Sequence, residues 1–397
     1  MQPIRIIILV LLTLVCVPNA RSAADRKPIF AHYMPWYDSK PVSGHWGWHW
    51  TMNRYDPDKI DNTEKREIAA HDYPLIGPYD SNDPHALECH VLLMKLGGLD
   101  GVIVDWYGIK DFRDYGTIHR NTKHLIRFIK RAGLQFAICY EDQTVNHMIE
   151  GKALPASDGV AHGKEVMGWL SQNWLKDPAY FRVNNRPALL VFGPQHYSPG
   201  QWKQVMRGMG ANPVILGLPH LSGKYDMSGA FGWPPVTGGK DISVASRHGY
   251  LRRLYARTKD ETIAGAVFPG FRDIYEQAGL HDSYGFISER DGKTFSETLD
   301  TAERSGCAFI QVATWNDYGE GTVIEPTRRS GYRYLAEIQK HERVKYRPDD
   351  LKLPVRLYEL RKKHARNESV TAKLELASAA LFQGNTKEAA RLLTSVR

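Results

Sequence analysis

Short apolar runs recur along the chain, separated by longer stretches with helical spacing of apolar side chains. The runs are Ile29 to Tyr33, Gly101 to Asp105, Phe136 to Tyr140, Ala188 to Phe192, Val214 to Leu218, Met227 to Phe231, Ile263 to Phe268 and Ala308 to Thr314. Their length and β-rich composition predict buried strands. Helices are predicted over Pro84 to Leu96, Thr122 to Arg131, Gly163 to Leu175, Gly200 to Met209, Leu251 to Arg257 and Phe295 to Ser305, each between two of the strands. Eight strands alternating with helices predict an α/β fold, a closed (β/α)8 TIM barrel in one domain with a short C-terminal helical extension.

The two ends of the chain differ from this pattern. Residues Ile6 to Val17 are apolar apart from Thr13, follow Arg5, and lead to Ser22-Ala23-Ala24, a small-residue cleavage site. This predicts a signal peptide over residues 1–24 and a protein that is exported, secreted or periplasmic. The run is shorter than the roughly 20 residues that span a bilayer, and no later stretch approaches that length, so no integral membrane segment is expected after cleavage. Cys16 raises lipid anchoring as a minor alternative, because Val15 before it is not the small residue such processing prefers. Residues 25–345 form the expected barrel. From residue 346 on, Pro348 and Pro354 precede an Ala, Leu, Lys and Glu-rich tail, with a turn at Gly384-Asn385. Leu374, Ala377 and Leu381, then Ala389, Leu392 and Leu393, fall on one face of two helices, a hairpin resembling one tetratricopeptide unit. One such unit cannot stand alone, so residues 346–397 are expected to dock on the barrel.

With 397 residues, 42% hydrophobic and 24% charged, the chain can bury a full core and is neither disordered nor fibrous. Its net charge of +8 falls to +6 once Arg5 and Arg21 leave with the leader. The one dense basic cluster, Arg361-Lys362-Lys363-His364-Ala365-Arg366, reads as a solvated helix face, and no nucleic-acid module surrounds it. Cys89, Cys139 and Cys307 are widely spaced and odd in number, which points to buried thiols rather than a disulfide framework or a zinc site.

Polar residues gather at the predicted C-terminal strand ends, where barrel enzymes carry their chemistry. His32, Tyr33, Trp36 and Tyr37 follow the first strand, Asp105 and Trp106 the second, and Glu141 and Asp142 the third. After the eighth comes Trp315-Asn316-Asp317-Tyr318-Gly319-Glu320-Gly321-Thr322-Val323-Ile324-Glu325. Glycosidic cleavage needs one carboxyl to protonate the leaving oxygen and a second to activate water or attack the anomeric carbon. Asp317 and Glu320, three apart across a glycine-punctuated turn, are the candidate pair. The competing reading has Asp317 capping the turn and Glu320 paired with a surface base. Asp105 with Glu320 is an alternative acid pair. Trp315, Asn316, Tyr318, Glu325, Asp105, Trp106, Glu141 and the residues after the first strand are candidates for binding sugar. Asp142 reads as a structural acid anchoring a loop.

The loop from Asp38 to Tyr79 is long and aromatic, as loops on the catalytic face of a barrel often are. Within it Trp46 and Trp48 are candidate sugar platforms. His45 and His49 are spaced like a metal pair but lack the Glu of a His-Glu-x-x-His motif, and no metal is expected.

These motifs resemble glycoside hydrolase families 71 and 99. Trp315-Asn316-Asp317-Tyr318-Gly319-Glu320 is similar to the family 71 signature of α-1,3-glucanases. Glu320-Gly321-Thr322-x-Ile324-Glu325-Pro326 and His32-Tyr33-x-Pro35-Trp36-Tyr37 resemble family 99 endo-α-mannosidases. The resemblance covers the barrel and not the tail. It implies an α-mannan or α-1,3-glucan type substrate, no cofactor, Glu320 as acid/base and Asp317 as the second carboxylate. Family 99 has Glu where this chain has Asp317, whereas family 71 has Asp and inverts. Retention and inversion therefore both stay open, with inversion favoured. Two other functions compete: a carbohydrate-binding barrel without catalysis, and a metal-dependent barrel hydrolase, against which stands the lack of a His-x-His on the first strand.

Overall fold

The computed structural model describes residues 26–396. The expected leader, its cleavage site and Cys16 lie outside the described residues. Eight parallel strands close into a barrel: β1 Ile29–Tyr33, β2 Gly101–Trp106, β3 Gln135–Tyr140, β4 Arg186–Val191, β5 Val214–Gly217, β6 Gly229–Phe231, β7 Thr262–Val267 and β8 Phe309–Val312. β1 lies between β2 and β8, with Phe30 opposite both Gly101 and Gln311. The ring closes where Ile138 of β3 meets Leu189 of β4. The (β/α)8 expectation is thus what the chain adopts.

Alternation along each strand decides which side chains reach the interior. Phe30 and Phe309 point inward and meet Phe181 at ring separations of 4.3 and 5.0 Å, closing the floor. His32, Asp105, Cys139 and Gln311 form the polar layer above. Their neighbours Tyr33 and Trp106 turn outward: the Tyr33 hydroxyl meets His90 at 3.0 Å, and Trp106 packs 5.2 Å from Trp174.

Helices α1 Pro84–Gly97, α2 Tyr115–Ala132, α3 Gly159–Asn173, α4 Pro199–Met206, α5 Val244–Ala256 and α6 Lys293–Glu303 cover the barrel. The start of α1 is set by Asp83, whose side chain accepts the His85 N–H, and by Pro84 in the first turn. Its end is set by Gly98 at φ +90°. No helix joins β5 to β6; residues 218–228 cross in turns. Above the rim, Lys240–Asp241, Phe271–Arg272 and Gly285–Ile287 form a small second sheet.

Helix α7 Arg333–Glu342 completes the barrel, and α8 Lys352–Lys363, α9 Glu368–Phe382 and α10 Thr386–Thr394 follow. The tail docks on α1 through a buried polar clamp. The Arg361 guanidinium donates to Glu88 at 2.7 Å and to Glu375 at 2.6 Å, and the Ser378 hydroxyl donates to Glu88 at 2.6 Å. Arg361 therefore leaves the basic cluster that the sequence reads as solvated: it is buried, because Glu88 on α1 is buried opposite it. At the other end of the described chain, the Arg26 side chain joins Asp100, just before β2, to Glu342 at the end of α7. Cys89, Cys139 and Cys307 are free and buried.

Candidate active site

The loop after β8 is stitched to the end of β1 before it reaches the cavity. Asn316 accepts the Met34 N–H at 2.8 Å and donates to the Met34 carbonyl at 2.9 Å and to the Tyr79 hydroxyl at 3.0 Å. Tyr37 donates its hydroxyl to the Asn316 carbonyl at 2.8 Å. Glu325 sits behind, between His90 at 3.1 Å and the Tyr79 hydroxyl at 2.8 Å.

Held in this way, residues 318–321 turn sharply. Asp317 accepts the Glu320 N–H on Oδ1 at 3.0 Å, so it caps the turn and faces the cavity at once. Gly321 has φ +65°, and a Cβ there would lie 2.7 Å from the Arg272 carbonyl oxygen. The close approach reflects pairing of the turn with the loop after β7, whose Arg272 and Ile274 N–H groups donate to the Glu320 and Gly319 carbonyls at 2.9 and 3.0 Å. Positions 317 and 320 therefore come to the same wall.

The cavity they line is about 430 Å3 and brings together Asp105, Glu141, Asp317 and Glu320 with His32, Trp36, Tyr37 and Trp48. No Lys or Arg is among its described lining residues. Four carboxyls without a cation repel ionisation of one another. Burial, then the charge of Asp317 and then that of Asp273, hold the Glu320 carboxyl well above the usual range, and its Oε2 is buried without a hydrogen-bond partner. Asp317 is pushed up to about 6 by burial, an effect opposed by the Glu320 and Gly319 N–H groups and by His49. Burial pushes Glu141 up to about 7 against the stabilising Gln143 amide, which donates to it at 2.6 Å. Asp105 is raised well above the carboxylate range by burial and then by Glu141, and their mutual hydrogen bond favours the proton on Asp105.

Seven predicted binding residues do not reach the cavity, among them Trp46, which lines a second one. Tyr33 and Trp106 face outward by strand alternation. Trp315, Asn316, Tyr318 and Glu325 are buried behind the turn, where they shape it. Asp142 anchors a loop, accepting the Gln195, His196 and Tyr197 N–H groups at 2.7, 2.9 and 3.0 Å. Residues not singled out for binding do line the cavity: Tyr107, His49, Trp233, Tyr275 and Tyr284. Tyr107 was accessible to the same parity rule that turns Trp106 away. Trp233, Tyr275 and Tyr284 sit in loops with no periodic signal, and His49 sits in a single helical turn, Trp48–Thr51, too short to show one.

Trp46 and Trp48 line a second cavity of about 780 Å3, which shares Trp36, His49, Tyr107 and Glu141 with the first. As for metals, His32, Asp105 and Cys139 offer ligand atoms within 4.8 Å of one another. They are a poor set for an ion: His32 Nδ1 already meets Gln311 at 3.3 Å, and burial raises the Cys139 thiol, disfavouring the thiolate that binds metal.

The closed barrel is shared with characterised proteins. The family model for glycosyl hydrolase family 99 matches residues 26–225, half of the chain. This chain belongs to glycosyl hydrolase family 99. A glycoprotein endo-alpha-1,2-mannosidase-like protein of Homo sapiens is 30% identical over 327 residues, covering 75% of this chain and 68% of that protein. The glycoprotein endo-alpha-1,2-mannosidase of Rattus norvegicus is 22% identical, covering 77% and 70%. The structure of the GH99 endo-alpha-mannosidase from Bacteroides thetaiotaomicron superposes with a TM-score of 0.57 at 19% identity, over 82% of this chain and 98% of that one, which speaks to the fold. The family 99 chain is thus a glycosidase built on a TIM barrel. The family match ends before β6, so the roles of Asp317 and Glu320 rest on geometry.

Proposed function

We propose that this family 99 enzyme hydrolyses internal α-mannosidic linkages, with Glu320 as general acid and Asp317 as general base. The observation that carries this reading is the turn itself, which sets two carboxyls that hold their protons to unequal degrees on one cavity wall. Glu320 is kept protonated by burial and by neighbouring negative charge, as a proton donor to the leaving oxygen must be. Asp317 ionises at about 6, with two backbone N–H groups stabilising its anion.

In the proposed reaction Glu320 protonates the glycosidic oxygen as the bond from the anomeric carbon to that oxygen breaks. Water attacks the anomeric carbon and passes its proton to Asp317. Asp317 Oδ1 is occupied by the Glu320 N–H, which leaves Oδ2 for the water. An aspartate at this position is shared with the inverting family 71 enzymes, and inversion of configuration is the expected outcome. Asp105 and Glu141, sharing a proton, are assigned to hydroxyl groups of the bound sugar.

Support for action within a chain comes from the extent of the cleft, in which the acids share one cavity with Tyr275 and Tyr284 and adjoin, through Trp48, His49 and Glu141, a second one that reaches Trp46. Support for an α-mannoside comes from what the relatives are named for. The aspartate at 317, shared with family 71 enzymes, favours α-1,3-glucan as the second substrate to try. Incubation with α-mannan, α-1,3-glucan and their oligosaccharides, with the product anomer followed by NMR, tests linkage and stereochemistry together. A product that first appears in the substrate's own configuration would refute inversion. Polysaccharide breakdown outside the cytoplasm also fits the leader-like residues 1–24; N-terminal sequencing of the mature protein should begin after Ala24.

A further inference from the structure

His49 transfers no proton in the reaction just described, though it favours the Asp317 anion, and it stands where the two cavities meet. Its ring lies flat on Trp36, 4.1 Å between centroids with the planes 5° apart, and its Nε2 is 3.2 Å from Asp114 at the start of α2. Trp48 stands perpendicular to it at 5.0 Å. The loop that carries it is fixed from both sides. The Gly47 N–H donates to the Asp38 carbonyl at 3.0 Å, and a Cβ at Gly47 would be tight against Asp38, at 3.0 Å from its Cβ. Next to His49, Trp50 is fully buried, stacks on Tyr37 and donates its indole N–H to the Tyr79 carbonyl at 2.8 Å.

We infer that His49, oriented by Asp114, is a specificity-determining contact for a second stretch of uncharged glycan, which runs from the catalytic cavity into the cavity walled by Trp46 and Trp48. The inference rests on the α-mannanase reading. With Nε2 engaged by Asp114, Nδ1 is left for a sugar hydroxyl, and Trp36 and Asp114 together fix the direction in which it points. Trp48, 41% exposed at this junction, offers a flat apolar face of the kind on which a pyranose stacks. The second cavity falls within the ~300–1,000 Å3 range of ligand sites. Two of its acids have partners within the protein, Asp114 at His49 and Asp38 at His45 3.6 Å away, and Arg113 is the one Lys or Arg among its described lining residues, so no basic cluster favours an anionic ligand and a neutral chain fits.

The test compares kcat/KM for α-mannotetraose with that for an aryl α-mannobioside, in wild type, His49→Ala, His49→Gln and Asp114→Asn. We expect His49→Ala to lower the ratio of tetraose to bioside efficiency about tenfold, chiefly through KM for the tetraose. His49→Gln, which keeps a polar group facing Asp114, should recover part of the loss, and Asp114→Asn should fall between. Thermal melting of each variant separates this from a folding defect. Equal loss on both substrates overturns the inference in favour of a structural role, and an unchanged ratio overturns it outright. A wild type that turns over the bioside while showing no gain from added sugars refutes the inference alone; a wild type that hydrolyses neither refutes it together with the reading on which it rests.

Discussion

Glu320 and Asp317 differ by one methylene and by what surrounds them, and the second difference matters more. Replacing Glu320 with Gln or Asp317 with Asn should each lower kcat about 10²–10⁴-fold while leaving glycan binding measurable by calorimetry. The pH profile of kcat/KM should rise through about 6 as Asp317 ionises, and fall at a higher pH as Glu320 loses its proton. The same shifts work against stability. Between the ordinary carboxylate range and about 7, the folded chain holds protons on Asp105, Glu141, Asp317 and Glu320 that the unfolded chain has already released. Stability must therefore fall as pH rises through that window, and it is recovered in acid. Glu320→Gln should accordingly melt a few degrees higher than wild type at pH 8, with the gap closing toward pH 4. A lower melting point for the variant at pH 8 would show that Glu320 is stabilised as the anion. At this scale the carboxylates were legible in the sequence because each follows an apolar run. Asn316 and Glu325 lie in the same motif, but burial makes them supports for the turn, a distinction no spacing in the chain reveals.

At the scale of elements, the turn over residues 318–321 depends on a glycine that no other residue replaces cheaply. Gly321→Ala meets both a positive φ and the Arg272 carbonyl, so it should cost about 1–3 kcal/mol in urea denaturation and lower activity at least tenfold by moving Glu320. The eight strands were readable because barrel strands are buried on both sides and stand out as apolar runs. Their C-terminal ends were placed less well: the run to Thr314 continues two residues past β8, which ends at Val312. Apolar character persists there because the loop is buried against β1. Helix α2 starts at Tyr115, seven residues before the predicted start, since its first turns pack polar residues such as Asn121 inside, where the side chain donates to the Pro35 carbonyl. The loops holding Trp233, Tyr275 and Tyr284 carry no period, and only the closed barrel brings them to the acids.

For the whole molecule, the clamp of Arg361 on Glu88 makes the tail part of the barrel's wall. Arg361→Ala strands the buried Glu88 carboxylate and should destabilise the protein by about 3–5 kcal/mol, seen as a lower denaturation midpoint; the double variant with Glu88→Gln should recover much of that loss. Two independent transitions in the wild type would instead mean that the tail folds by itself. That the tail docks was readable from its one-sided apolar face; where it docks was not, because Glu88 looks like any helix glutamate until α8 is laid against α1. The bond network of Arg26 has a further meaning. It fastens the first described residues to Asp100 and Glu342, at the base from which β1 rises toward the acids. Anything attached upstream of Arg26, whether a purification tag, a surface for immobilisation or a lipid on an unprocessed leader, thus departs from the pole opposite the cleft, so a tethered enzyme would present its open mouth to the surrounding medium.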